Sequence, residues 1–131
     1  MTKEEWKQVS EAAESLFRCS VLNVDGYELT ICLVRVSAYK NAIAIYVNGV
    51  FKDKWLADDC EERKRFVQRR KRRLITGKEY AKMVRGMKKK DKEDFDKRNI
   101  YEVYQTHWSS FGALKKHLIA NNESIELIKI K

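Results

Sequence analysis

A chain of 131 residues, 44% hydrophobic and 36% charged, is about one domain's worth of sequence with enough apolar material for a core. Aromatic and β-branched residues are plentiful, which excludes a disordered polymer, and no apolar run is long enough to span a membrane. The net charge of +9 points to anionic partners.

The excess charge is local. Residues 1–51 carry five basic and six acidic side chains, and residues 93–131 carry six of each. Residues 52–92 carry seventeen basic and seven acidic ones, a net of +10. The three cysteines, Cys19, Cys32 and Cys60, are odd in number and show no zinc-ligand spacing. They read as reduced thiols packed as small hydrophobes, which suits a reducing cytoplasm. The start, Met1-Thr-Lys-Glu-Glu, leads into an amphipathic stretch and not an apolar signal core.

Taken in order, residues 3–17 predict a helix. Thr2 and Glu5 have capping-box spacing, and Trp6, Val9, Ala13, Leu16 and Phe17 share a face. Residues 19–24 and 27–37 predict a hairpin about the type I′ turn Asp25-Gly26. A third strand, Ala42 to Val47, meets a second such turn at Asn48-Gly49, which makes an antiparallel meander. Asp58 or Asp59 then caps a long basic helix running to about Ile75. Its apolar stripe (Leu56, Cys60, Val67, Leu74) is narrow, so most of it must face water or a partner. Thr76 and Glu79 suggest a capping box for a shorter helix through Met87, and the charged stretch 88–99 reads as a mobile loop. Residues 100–108 predict a strand. Ser109 or Ser110 caps a helix that Asn121 or Asn122 stops in the left-handed conformation, and Ile125 to Ile130 is a final strand.

The expected fold is α+β: an antiparallel sheet of about four to six strands, an N-terminal helix, a long basic central helix and a C-terminal helix–strand unit. It is read as one domain over 1–131, with the basic segment 58–92 inserted between the meander and the C-terminal strand–helix–strand.

The candidate binding residues are Arg63, Lys64, Arg65, Arg69, Arg70, Lys71, Arg72 and Arg73, followed by Lys88, Lys89, Lys90 and Lys92. Eight of the eleven residues from Arg63 to Arg73 are basic, and six of those are Arg. Guanidinium forks suit bidentate phosphate contact, and Gln68 is the only amide side chain among them, so backbone recognition is expected over base reading. Part of the pattern is also what a capped helix needs. Asp58, Asp59, Glu61 and Glu62 complement the helix dipole, and Asp59–Arg63 and Glu61–Arg65 are i,i+4 pairs. The unexplained excess is Arg69–Arg73 and Lys88–Lys92. Tyr46, Trp55, Tyr101, Tyr104 and Trp108 lie in or beside strands, where they serve either as core or as stacking platforms.

Catalytic chemistry has little to work with. His107 and His117 have no carboxylate at fixed spacing, and there is no nucleophile elbow, zinc-protease or P-loop pattern. The four acids on one turn could hold Mg²⁺ for a nuclease, but such sites draw carboxylates from several elements. No enzyme activity and no cofactor is expected.

The runs YVNGVFKDKWLADDCEERKRF (46–66) and HWSSFGALKKHLIANNESIELI (107–128) resemble segments of small accessory proteins of Gram-positive phages and prophages. The resemblance implies context and no site residues. Accessory genes of this size encode helpers of DNA metabolism or inhibitors of host defence, anti-CRISPR proteins among them. The expected function is therefore a small, basic, non-catalytic protein that engages a nucleic-acid backbone. The alternative is an anti-defence inhibitor that binds a host Cas nuclease and its nucleic acid, and the third possibility is a metal-dependent nuclease.

Overall fold

A computed structural model describes all 131 residues, Met1–Lys131. The protein is α+β and divides into two compact units. The first comprises Met1–Gln68 with Gln105–Lys131, and the second is Arg69–Tyr104. No helix is long and apolar enough to cross a membrane.

The first unit opens with α1 (Lys3–Ala12), where Thr2 Oγ1 accepts from the Glu5 N–H and Glu5 Oε1 accepts from the Thr2 N–H, both at 3.1 Å. This is the expected capping box. The helix is shorter than the sequence suggests. Tight turns through Glu14 and Ser15 close it, so Leu16 and Phe17 leave the apolar face and are 40% and 94% exposed.

The meander follows as β1 (Cys19–Val24), β2 (Tyr27–Ser37) and β3 (Lys40–Val47). Asp25, Gly26, Asn48 and Gly49 all have positive φ, as the two-residue turns require. After α2 (Lys54–Ala57) and α3 (Glu61–Phe66), the unit resumes with β6 (His107–Trp108), α6 (Phe111–Asn121) and β7 (Ile125–Ile130). These make a five-stranded sheet of order β6-β3-β2-β1-β7 in which every neighbour is antiparallel.

Strand alternation puts Ser20, Leu22 and Val24 on the same face as Leu29, Ile31, Ile43, Ile45, Val47 and Trp108, all of them buried. Helix α1 packs on β1 and β7, and α6 packs on β6 and α3. Val9, Phe66, Leu114 and Leu118 are fully enclosed. In β7 the register shifts opposite Val21 and Leu22, and the bulged residue, Ile128, is 54% exposed.

Further expectations in this unit are corrected. Asn122 stops α6 from extended backbone (φ −137°), its amide donating to Leu118 O at 3.1 Å, and not from the left-handed region. Cys19 and Cys32 stand directly opposite on β1 and β2 with a Cα separation of 4.6 Å, and they form a disulfide. Such closeness belongs to a non-hydrogen-bonded antiparallel pair. Only Cys60 is a free thiol.

The second unit is a two-stranded ribbon of β4 (Gln68–Arg73) and β5 (Ile100–Gln105), with α4 (Gly77–Val84) and α5 (Lys89–Arg98) between them in sequence. Over Arg69–Tyr104 there is no fully buried hydrophobic side chain, and Asn99, at 4%, is the one buried residue. The long basic helix does not exist. Helix α3 ends at Phe66, Val67 is extended (ψ 134°), and the chain continues as a strand. The physical reason is burial: Phe66, Val67 and Gln68 are consecutive and all enclosed, which no single helical face allows. A helix would also bring Arg69 and Arg73 together at i,i+4, a like-charge contact.

The start of α3 differs too. Cys60 is its N-cap residue, in place of Asp58 or Asp59, and makes no side-chain cap bond. Thr76 is the N-cap of α4 but makes no side-chain cap bond either, so the second capping box is absent. The expected mobile loop 88–99 is α5, in which Glu93–Lys97 and Asp94–Arg98 have favourable i,i+4 spacing. The predicted strand 100–108 is broken at Thr106 into β5 and β6, which belong to different sheets.

Candidate nucleic-acid interface

The twelve candidate residues separate into three groups. Arg63, Lys64 and Arg65 lie on α3 in the first unit. Arg63 lies 3.6 Å from Asp59 with its side chain only 13% exposed, and Lys64 Nζ lies 3.9 Å from the same carboxylate. Arg65 is a structural latch. It donates to Asp25 Oδ2 and to Glu61 Oε1, both at 2.6 Å, and to Asn122 Oδ1 at 2.9 Å, and it lies over the Tyr27 ring. These acceptors raise its pKa, the Glu61 hydrogen bond most. Asp25 in turn accepts the backbone N–H groups of Glu123 and Ser124, which hold its carboxyl below the usual range. Arg65 thus ties the first hairpin turn to α3 and to the α6–β7 junction.

The second group stands on β4. Arg69, Arg70, Lys71, Arg72 and Arg73 are all exposed. The Leu74 N–H donates to Asn99 O at 2.8 Å, which sets the ribbon register. The strand bounds agree with it, and Lys71 then stands opposite Glu102 and Arg72 opposite Tyr101. Asn99 closes this end by accepting from the Ile75 N–H at 2.8 Å and donating to Ile75 O at 2.9 Å.

Alternation sorts the strand into two faces. On one, Arg69 approaches Glu102 at 3.6 Å, and Arg73 lies over Tyr80 at 5.2 Å. Tyr80 donates to Asp96 Oδ1 at 2.5 Å, which raises its pKa, and packs against Phe95. The other face carries Arg70, Arg72 and Leu74 with Tyr101 and Val103.

The third group, Lys88, Lys89, Lys90 and Lys92, is exposed at the N-cap and first turns of α5. Counted over Arg69–Tyr104, the second unit holds fourteen basic and six acidic residues, a net of +8 out of the chain's +9. The basic excess therefore coincides with one structural unit.

The aromatic candidates separate clearly. Trp55 and Trp108 are core, and the Trp108 indole N–H donates to Phe66 O at 2.8 Å. Tyr46 and Tyr104 are half-buried, whereas Tyr101 is 42% exposed. Sequence periodicity marked Tyr101 but could not place it beside Arg72, because β4 itself was read as helix.

Metal and catalytic readings gain nothing from the geometry. Asp59 faces Arg63 and Lys64, and Glu61 faces Arg65. No three His, Cys, Asp or Glu side chains come together to hold a metal ion. His117 Nε2 meets Lys64 O at 2.9 Å and its ring packs on Trp108, while His107 meets the Thr106 hydroxyl.

Comparisons with protein-family models, curated proteins and solved structures return no match to this chain.

Proposed function

We propose that the protein is a non-catalytic nucleic-acid-binding protein whose contact surface is the second unit. The supporting observation is the exposed run Arg69–Arg73 on a strand within a unit of net charge +8. Guanidinium groups held on a paired strand lose less freedom on binding than the same groups on a coil, and their fork matches a phosphodiester. Lys88–Lys92 add a second, less directional positive field. Arg63 and Arg65 are left out of the proposed contact surface, because both are engaged within the first unit.

The compartment that goes with this reading is the cytoplasm of a bacterial host cell, a reducing setting in which the Cys19–Cys32 disulfide would be open to reduction. Mass analysis after alkylation of freshly purified protein distinguishes the two states.

A second reading is an anti-defence inhibitor that binds a nucleic-acid-loaded host Cas nuclease. It is favoured by apolar side chains that phosphate binding does not use: Met83, Met87 and Ile100 are 48%, 36% and 43% exposed in the same unit.

Fluorescence anisotropy with labelled DNA and RNA tests the first reading. The combined Arg70→Ala, Lys71→Ala and Arg72→Ala variant is expected to lose most of the affinity, and Arg65→Ala to keep it. Equal affinity of the triple variant and the parent would remove the ribbon from the function.

A further inference from the structure

We infer that the free edge of β7 pairs with β7 of a second copy of this chain, antiparallel and about a two-fold axis at Leu127, so that two five-stranded sheets join as one. This stands apart from the nucleic-acid reading. Three observations carry it.

The first is an open edge whose outward groups are defined. β7 ends the order β6-β3-β2-β1-β7, so one side of it has no partner strand. Leu127, Ile128, Lys129 and Ile130 line a groove there with Gln8 and Glu11 of α1. At the two ends of the β1–β7 ladder, the Asp25 N–H donates to Ser124 O at 2.9 Å and the Lys131 N–H to Cys19 O at 2.8 Å. Antiparallel alternation between these ends bonds Glu126 and Lys129 to β1, opposite Asn23 and Val21. It turns the N–H and C=O groups of Ile125, Leu127 and Ile130 away from β1. The Met1 amino group, 3.4 Å from Ile125 O, already meets one of these groups from outside the sheet, and a ladder bond replaces it in the dimer.

The second is register. With Ile128 set aside as the bulged residue, the strand runs Ile125, Glu126, Leu127, Lys129, Ile130. Turned about Leu127, it places Ile125 opposite Ile130, Leu127 opposite its own copy and Glu126 opposite Lys129. Outward-pointing residues then meet outward-pointing residues, and each such pair can exchange two ladder bonds.

The third is side-chain complementarity. Glu126 and Lys129 are exposed and take part in none of the chain's ion pairs. They share the sheet face of Val21 and Asn23, so pairing gives each an opposite charge from the second copy, twice over by symmetry. Ile125, Leu127 and Ile130 are half-buried on the face of Leu22 and Val24 and continue that apolar face across the join. Any extended strand could supply the ladder bonds, but this chain's own β7 also supplies the matching charges and apolar groups.

A short edge makes a small interface, so the test spans about 1 to 500 μM protein. Sedimentation velocity of the full, nuclease-treated chain should show the mass rising from monomer to dimer across that range. Glu126→Lys and Lys129→Glu each set like charges opposite one another at two places and should weaken dimerisation at least about fivefold. Net charge moves in opposite directions in the two variants, so a loss in both is local to the pairing. The double reversal, Glu126→Lys with Lys129→Glu, should restore the dimer. The tryptophan-reported urea midpoint verifies that each variant keeps the first unit folded. Amide exchange supplies the register: the Leu127 and Ile130 N–H groups should gain protection as concentration rises, while the Glu126 N–H, already bonded to β1, should not change. A monomer throughout the range, a double reversal no better than the single ones, or a dimer whose Leu127 and Ile130 amides exchange as in the monomer would overturn the inference.

Discussion

Asn99 holds the basic ribbon in place, and its removal should open the second unit without melting the first. Its side chain makes two hydrogen bonds to Ile75, at 2.8 and 2.9 Å, in the manner of one further pair of the β4–β5 ladder. Each such bond contributes about 1 kcal/mol net, so Asn99→Ala should cost about 2 kcal/mol, a factor of about 30 in the local opening equilibrium. The cost falls on the second unit, because residues 69–104 contain no fully buried hydrophobic side chain to hold the ribbon closed. Amide hydrogen exchange measures this directly: residues 69–75 should exchange about 30-fold faster in the variant. Tryptophan fluorescence supplies the control. Trp6, Trp55 and Trp108 all lie buried in the first unit, so the urea midpoint they report should not move. Unchanged exchange at 69–75, or an equal loss in the tryptophan-reported midpoint, would refute the reasoning.

Arg65→Ala should lower the thermal midpoint of the first unit by several degrees, seen by tryptophan fluorescence, while leaving nucleic-acid affinity unchanged. Asp25 has a folded pKa below its unfolded one, so its stabilisation is complete above the usual carboxylate range, near pH 4, and is lost as pH falls through the lowered value. The urea midpoints of wild type and Asp25→Asn should therefore differ fully at neutral pH and converge in acid. The Cys19–Cys32 bond closes a sequence separation of 13 already held as a hairpin, so reduction should cost about 2–3 kcal/mol, measured by urea unfolding with and without reductant.

Much of the first unit was legible in the residues. Asp25-Gly26 and Asn48-Gly49 demand positive φ at both positions, and only a hairpin turn uses that efficiently. Thr2, Glu5 and Ser110 announced their helix starts by side-chain chemistry that operates locally. The second unit was misread because its signals are not local. The acidic-to-basic gradient from Asp58 to Arg73 is good helix electrostatics, and nothing near Arg69 in sequence reveals that residues 100–105 offer a strand to pair with. Burial of three consecutive residues, Phe66 to Gln68, decided the outcome, and that is a tertiary fact. In the same way, α5 was hidden by its composition. Its Glu93–Lys97 and Asp94–Arg98 spacings were the signal, outweighed by the density of charge. The candidate site was legible as a set of charges. The engagement of Arg65 on α3 required the partners Asp25, Glu61 and Asn122, which are distant in sequence or on the same helix.

The central claim is that the exposed bases of β4 bind a phosphate backbone, and the salt dependence of binding tests it most directly. The logarithm of the affinity should fall linearly with the logarithm of salt concentration, with a slope of about −0.7 to −0.9 per phosphate contact. Substitution of Arg70, Lys71 and Arg72 by alanine should flatten that slope by about 2 to 3. A slope unchanged by the triple substitution would contradict the claim.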